Sequence, residues 1–308
     1  MVSYSIIGAG IAGLSLALEL EEAGVDARVI EYRDRVGGVN ILYPGIDSFI
    51  DCARHRTNIV SAAAIRINER IYELRGNSYS ELRDAVAATG FRVATLPELG
   101  VYGDRPAGVY TFHAVLDLIH YGLLPGKRIV IYGDNAYAAL LSNELTKLGC
   151  MVTLVTPTKI DSNPVSDVTM IKGTINRIKG ASRVEGVRIY DKWIDADTLI
   201  VAIFKTHNPF PELRAIGQAV IESFDPNIIM ESGKIMAHEL IGDGEPIIID
   251  SNIPIYPGNL IKGKTRRVIV ALRGGGKIMI NDKEYAIHGD AAVIDLPKTD
   301  KVCIRGVN

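Results

Sequence analysis

The first thirty-eight residues constrain the fold more than any other part of the chain. "YSIIGAGIAGLSLALELEEAGVDARVIEYRDRVGG" (4–38) starts as a short apolar strand and turns through Gly8-x-Gly10-x-x-Gly13. It continues as a helix carrying Leu14, Leu16, Ala17, Leu18 and Leu20. Gly24 closes the helix and a second strand, "ARVIE", ends on Glu31, so the stretch reads as a βαβ unit. Gly8 permits the tight turn, Gly10 lets the backbone approach a pyrophosphate, and Gly13 lets the helix pack close to the strand. Ile11 and Ala12 stand at the helix N-terminus, whose unpaired N–H groups and positive dipole end attract phosphate. Glu31, eighteen residues past Gly13 and followed by Tyr32, is placed to accept hydrogen bonds from the ribose hydroxyls of an adenosine. The alternative is a Rossmann unit that has kept its fold and lost its ligand.

Composition excludes several other classes. The chain has 308 residues, 47% of them apolar, with 34 basic against 36 acidic side chains. That is enough for two domains with packed cores, and it supplies no electrostatic attraction toward nucleic acid or an anionic membrane. The apolar N-terminus lacks a basic leader and is soon interrupted by glutamates, so neither a signal peptide nor a membrane span is expected, and a cytoplasmic location follows. Three scattered cysteines, Cys52, Cys150 and Cys303, form no C-x-x-C dithiol, disulfide framework or zinc site. Of the six histidines, His113 and His120 share a helix face without an acid or cysteine at ligand spacing, so no metal is expected. Hydrolase and nucleotide-triphosphatase motifs are absent.

The residues after Glu31 narrow the dinucleotide. "EYRDRVGG" resembles the flavoprotein fingerprint E-x-x-x-x-x-GG, in which the pair Gly37-Gly38 lets the chain pass close to the FAD pyrophosphate and ribityl. The match resembles the two-dinucleotide-domain flavoproteins, the pyridine nucleotide-disulfide oxidoreductase superfamily. "FRVATLPELGVYGDRPAGVYTFHAVLDLIHYGLLPGKRIVIYG" (91–133) is similar to the crossover between domains there, with Ala94-Thr95-Leu96 in place of Ala-Thr-Gly. "RPAGVYT" and "LPGKR" resemble the small FAD-dependent oxidoreductases related to amine, proline and glycerol-3-phosphate dehydrogenase subunits. The resemblance implies an α/β chain with two Rossmann-like domains, the second inserted in or following the first, and a small C-terminal β-domain. Residues 1–110 and about 206–260 would bind FAD, 111–205 would form the nicotinamide-type domain, and 261–308 the β-rich piece. It also implies contacts to FAD from Gly38 and Thr95, and from a strand returning to the flavin domain. Among "EPIIIDSN", "LIGDG" and "YAIHGDAA" the first is preferred for that strand, with Asp250 and Asn252 near the flavin.

The second unit departs from the first at its loop. After "RIVIY", Gly133-Asp134-Asn135-Ala136-Tyr137-Ala138 leads into a helix and then a strand "MVTLVT". The middle glycine has become Asn135, whose Cβ would push a pyrophosphate away while its side chain tolerates a left-handed backbone. Asp134 adds negative charge, and the second strand ends near Thr156 and Lys159 rather than on a ribose-binding acid. Weak or absent NAD(P)H binding is the expectation; another adenine nucleotide is the alternative. Phe204 stands where the family often has glycine.

Between the units, "SAAAIRINERIYELRGNSYSELRDAVAA" reads as a small β-meander turning at "RGNS". "SFIDC" (48–52) resembles the S-F-x-x-C of single-cysteine coenzyme A-disulfide reductases and NADH oxidases, which makes Cys52 the one catalytic candidate, against the reading of an ordinary half-buried cysteine. "RHR" (54–56) is a candidate for FAD phosphates or a carboxylate, or a solvated basic turn. The expected function is that of an FAD-dependent oxidoreductase or electron-transfer subunit without a dithiol, working on a small-molecule redox substrate or with a partner subunit in a homo- or hetero-oligomer. The alternative is a non-catalytic subunit on a double Rossmann scaffold.

Overall fold

The computed structural model describes residues 3–158, 167–242, 244–258, 260–261 and 266–307. Lys159, named above for the second unit, lies outside them. Five α-helices occur among the described residues: α1 (Ile11–Glu22), α2 (Asp47–Arg56), α3 (Phe112–His120), α4 (Ala136–Lys147) and α5 (Pro226–Ile241). Contacts divide the chain into two units, Met1–Phe91 with Thr206–Asn308, and Arg92–Lys205. The second is therefore an insertion into the first. The first crossing falls at Phe91 rather than at residue 110, and 261–308 belongs with the first unit.

The first unit is built on a parallel five-stranded sheet in the order Arg214–Ala215, Ala85–Ala87, Ser3–Ile7, Asp26–Glu31, Asn58–Ser61. The strands "SYSII" and "DARVIE" become buried toward their C-terminal ends, at Ser5–Ile7 and Val29–Ile30, as suits a parallel sheet covered on both faces. The β-meander is present as Ala63–Ile67, Arg70–Arg75 and Ser78–Glu81, three antiparallel strands. On one face of the main sheet α1, α2 and α5 share a core that includes Leu14, Leu16, Ile50, Ile229 and Met236.

Helices α1 and α5 cross at very short range. A Cβ on Gly233 would lie 2.4 Å from Ala12 O and 2.7 Å from Leu16 N, so only glycine fits there. Asp225 starts α5 by accepting the Asn227 N–H at 2.8 Å, with Pro226 in the first turn.

The β-rich region begins at Ile247, earlier than residue 261. Ile247–Ser251 pairs in parallel with Lys301–Val307 within a five-stranded sheet, and a three-stranded sheet holds Ile255–Tyr256, Arg267–Ala271 and Ala291–Asp295. Val268, Val270, Ile278, Val302 and Ile304 give these strands their own core.

The second unit has a parallel sheet in the order Val109–Thr111, Thr198–Val201, Arg128–Tyr132, Met151–Thr156, Thr169–Lys172. A second sheet of four strands runs Lys192–Asp195, Gly186–Ile189, Ile175–Lys179, Tyr102–Gly103. Its inner face, with Ile178, Val187 and Ile194, closes a core with Val130 and Leu199.

Candidate dinucleotide site

The three loop glycines answer to different neighbours. At Gly8 the backbone has φ +114°, and a Cβ would sit 2.4 Å from Ala88 O. At Gly13 a Cβ would meet Gly8 O at 2.1 Å. Both are required by the packing of this chain against itself. Gly10 is different: φ is −73°, and a Cβ would meet nothing within 4 Å. The protein's own packing tolerates a side chain at residue 10, so its glycine keeps open the space in front of the helix.

That space faces hydrogen-bond donors. The α1 ladder begins with Leu14 N–H to Gly10 O at 2.9 Å, which leaves the N–H groups of Ile11, Ala12 and Gly13 before the first intrahelical bond. Gly10 carries no side chain to cap them, and the first turn holds no acid. An anion at this end meets the positive end of the helix dipole. Gly37 N–H donates to Ala9 O at 2.8 Å, and a Cβ on Gly38 would come within 3.4 Å of Gly10 Cα, so the glycine pair lies against the loop.

Glu31 is anchored at the same place. Its carboxylate accepts Ala9 N–H at 2.8 Å and Arg33 N–H at 2.9 Å. Beside it opens a cleft of about 560 Å³ lined by Glu31, Arg33, Asp34, Arg54, Asn58 and Ser61, among others. Arg54 is the first arginine of "RHR". Tyr32 is 65% exposed, with the Arg33 guanidinium 4.7 Å from its ring centre.

Two further segments pack against the glycine loop, and neither carries Thr95, Asp250 or Asn252. The strand Ala85–Ala87 runs on into Ala88-Thr89-Gly90, so the Ala-Thr-Gly of this chain precedes the Ala94-Thr95-Leu96 chosen for it by six residues. Thr89 N lies 3.6 Å from where a Gly8 Cβ would stand, and the Thr89 hydroxyl is buried without a partner. Thr95, by contrast, belongs to the second unit, where its N–H and hydroxyl donate to Glu98 at 2.8 and 2.9 Å. Arg92 holds that Glu98 carboxyl well below the usual range, with Thr95 adding to the effect.

The strand returning to the main sheet is Arg214–Ala215, and it ends in Gly217-Gln218. A Cβ on Gly217 would lie 2.7 Å from the Ala12 Cβ, so this turn packs on the start of α1. Asp250 and Asn252, preferred above, instead sit in the C-terminal strands. Asp250 pairs with Arg305 at 2.6 Å, and Asn252 Oδ1 accepts Gly306 N–H at 2.9 Å. In "RAIGQA" Gln218 stands in place of the acid sought for the returning strand, and its side chain donates to Ser223 O at 2.7 Å.

Cys52 is carried by α2, whose Ile50 packs on Gly37. It is exposed on α2 and hydrogen-bonds Arg56, which pairs with Glu21 and Glu22 in the last turn of α1. At 1.5 Å per residue the twelve residues of α1 put that turn roughly 15 Å from Gly10. No group of three metal-ligating side chains occurs among the described residues.

The second loop is closed by its own side chains. Asn135 caps α4 in an extended conformation, φ −136°, rather than the left-handed one considered for it. Its Oδ1 accepts Ala138 N–H at 3.1 Å and its Nδ2 donates to Ala202 O at 2.7 Å. The amide thereby takes up a donor that a phosphate would need. Asp134 accepts the Thr158 hydroxyl at 2.6 Å, and Tyr137 is fully buried against Phe112 and Phe204, at 6.0 and 5.7 Å between ring centres.

Comparison with known proteins agrees with this fold. The model of the NAD(P)-binding Rossmann-like domain matches residues 6–40. No curated protein matches the sequence. Among solved structures, thioredoxin reductase of T. acidophilum is 18% identical with a TM-score of 0.57, over 76% of this chain and 95% of that one. The NAD-dependent persulfide reductase of A. fulgidus is 16% identical with a TM-score of 0.58, over 91% and 67%. Histamine dehydrogenase from Rhizobium sp. 4-9 is 20% identical with a TM-score of 0.51, over 78% and 45%. The shared property is the architecture: a mixed α/β chain of two Rossmann-like units with a glycine-loop βαβ at its start.

Proposed function

We propose that the chain is an FAD-dependent oxidoreductase, or a flavin-carrying electron-transfer subunit, of the pyridine nucleotide-disulfide oxidoreductase type. The observation that carries this is Gly10, a glycine that the protein's own packing does not require, at the N-terminus of α1 ahead of its first intrahelical bond. The first unit is the FAD domain. Ile11, Ala12 and Gly13 would hold the pyrophosphate, Gly8 and Gly38 shape its passage, and Glu31 and Tyr32 border the adenosine. Thr89 and Gly217 take the places first assigned to Thr95, Asp250 and Asn252, and the partnerless Thr89 hydroxyl fits a polar ligand.

Bound FAD would supply the two-electron chemistry, and the chain's residues bind and orient it. The second unit keeps a nucleotide-domain fold and binds NAD(P)H weakly or not at all, because Asn135 occupies the anion position. Electrons then come from a small-molecule donor or a partner subunit. On this reading the chain is related to oxidoreductases of the amine, proline and glycerol-3-phosphate dehydrogenase group, and histamine dehydrogenase, one amine-named neighbour, supports it. A cytoplasmic setting is consistent with the finding that no helix among the described residues is long and apolar enough to cross a membrane.

Reconstitution with FAD tests the reading. The protein is expected to retain flavin through gel filtration and to bleach with dithionite but not with NADH or NADPH. No retained flavin would refute the assignment. Rapid bleaching by a nicotinamide nucleotide would refute the closed second loop. The non-catalytic alternative is favoured by one observation, Gln218, which offers no carboxylate at the ribityl end; flavin that is bound yet exchanges electrons with no donor or partner would support it.

A further inference from the structure

The four-stranded sheet of the second unit buries one face and leaves the other open. Register places Tyr102, Arg177, Arg188 and Trp193 directly side by side across the four strands, on the face opposite Ile178, Val187 and Ile194. With strands ~4.8 Å apart the row is roughly 14 Å long. The next row holds Lys179, Gly186 and Asp195. Lys179 Nζ stands 4.9 Å from the centre of the Trp193 ring. Tyr102 is 67% exposed and Trp193 42%.

Two features of this row oppose the stability of the sheet. Like charges directly opposite each other on paired strands repel, and Arg177 and Arg188 are such a pair. Nor are these cations matched locally. Arg188 donates to Asn176 Oδ1 at 3.0 Å, and among the described residues neither Arg177 nor Lys179 has an acidic partner. A large aromatic at each end of the row is open to water. Local choices that work against the fold mark functional surfaces, and Trp, Tyr and Arg are the residues that dominate protein–protein contact energies.

We infer that this face docks an acidic protein segment. The guanidiniums of Arg177 and Arg188 would take its carboxylates, and Tyr102 and Trp193 would flank them. These two rows set Arg177, Arg188 and Lys179 against Asp195 and, at the edge beside Lys179, Asp104, which is engaged by the Gly180 N–H at 2.9 Å, so the charge of the face is positive and its complement negative. A nucleic-acid strand fits less well, because the row is short, lies in no groove, and belongs to a chain with net charge −2. The inference stands independently of the flavin reading.

Trp193 is the chain's single tryptophan and reports on the face directly. The 308-residue protein is titrated with a dodecapeptide of alternating glutamate and serine, its lysine counterpart, and a dodecamer of thymidylate, following tryptophan emission. We expect saturable change with the glutamate peptide alone. The double variant Arg177→Glu, Arg188→Glu should weaken binding on the order of tenfold or more, with an unchanged melting curve as the folding control. Arg177→Lys with Arg188→Lys should retain most of it. No saturable response to the glutamate peptide, an equal response to thymidylate, or undiminished affinity in the charge-reversed variant would each overturn the proposal.

Discussion

Gly10 and Asn135 occupy equivalent positions in two similar βαβ units and lead to opposite chemistry. At residue 10 a methyl group would project into open space, so Gly10→Ala should leave the folding stability within the ordinary surface range of about ±0.5 kcal/mol. FAD affinity should nevertheless fall by ~10-fold or more, about 1.4 kcal/mol, because the new Cβ stands where the pyrophosphate approaches. Calorimetric melting together with FAD titration checks both halves. Gly10→Ala binding FAD as tightly as the parent protein would show that the loop is not the cofactor contact. At residue 135 the side chain does what a phosphate would do, accepting the Ala138 N–H, and its second hydrogen bond to Ala202 O fixes it there. The substitution was visible in the sequence, but its conformation was not. Asparagine was read as a stand-in for a left-handed glycine, whereas the structure uses it as an extended cap. The same limit applies to Thr89: a three-residue strand of alanine and valine gives little periodicity, so the threonine ending it went unassigned and a later Ala-Thr was chosen.

At the scale of elements, the site depends on how α5 is held against α1. Gly233 fits over Ala12 and Leu16, and Ser232 accepts the Gly217 N–H at 2.9 Å, so one turn of α5 positions both the glycine-loop helix and the returning strand's end. Gly233→Ala should therefore cost at least about 1–3 kcal/mol through forced displacement and should weaken FAD binding in parallel. Chemical denaturation and FAD titration of this variant give the check. A variant that loses stability but keeps full affinity would show that the two helices can separate without opening the site. The first βαβ was legible because each of its signals is local: glycine spacing, apolar helix positions, a terminal acid. The α1–α5 crossing was not, since residues 12 and 233 meet only after the whole domain has closed. The C-terminal strands were legible as strands from residue 261 on, but not their start in Ile247–Ser251, where Ile249 pairs with Val302, more than fifty residues away.

For the molecule as a whole, the decisive feature is nesting. The second unit enters after Phe91 and leaves before Thr206, and just inside that boundary Ala94 N–H donates to Ile203 O at 2.8 Å. The two ends of the insertion are thus neighbours, about 5 Å apart at Cα. Replacing residues 94–203 with a short glycine-serine linker is expected to leave the first unit folded and able to take up FAD, since loop closure over so small a gap has little entropic cost. Circular dichroism melting and flavin retention test this, and loss of both would show that the first unit needs the insertion to fold.

The same nesting governs how the chain responds to force. If the protein is held near Ser3 and Val307 and stretched, tension runs through the first unit alone, because the insertion hangs between two points that this unit keeps together. The first unit, loaded through Ser3–Ile7 and Lys301–Val307, would give way first, while the sheet bearing Trp193 stays slack. Only after that rupture would the second unit carry load, so an extension trace should show two events in a fixed order.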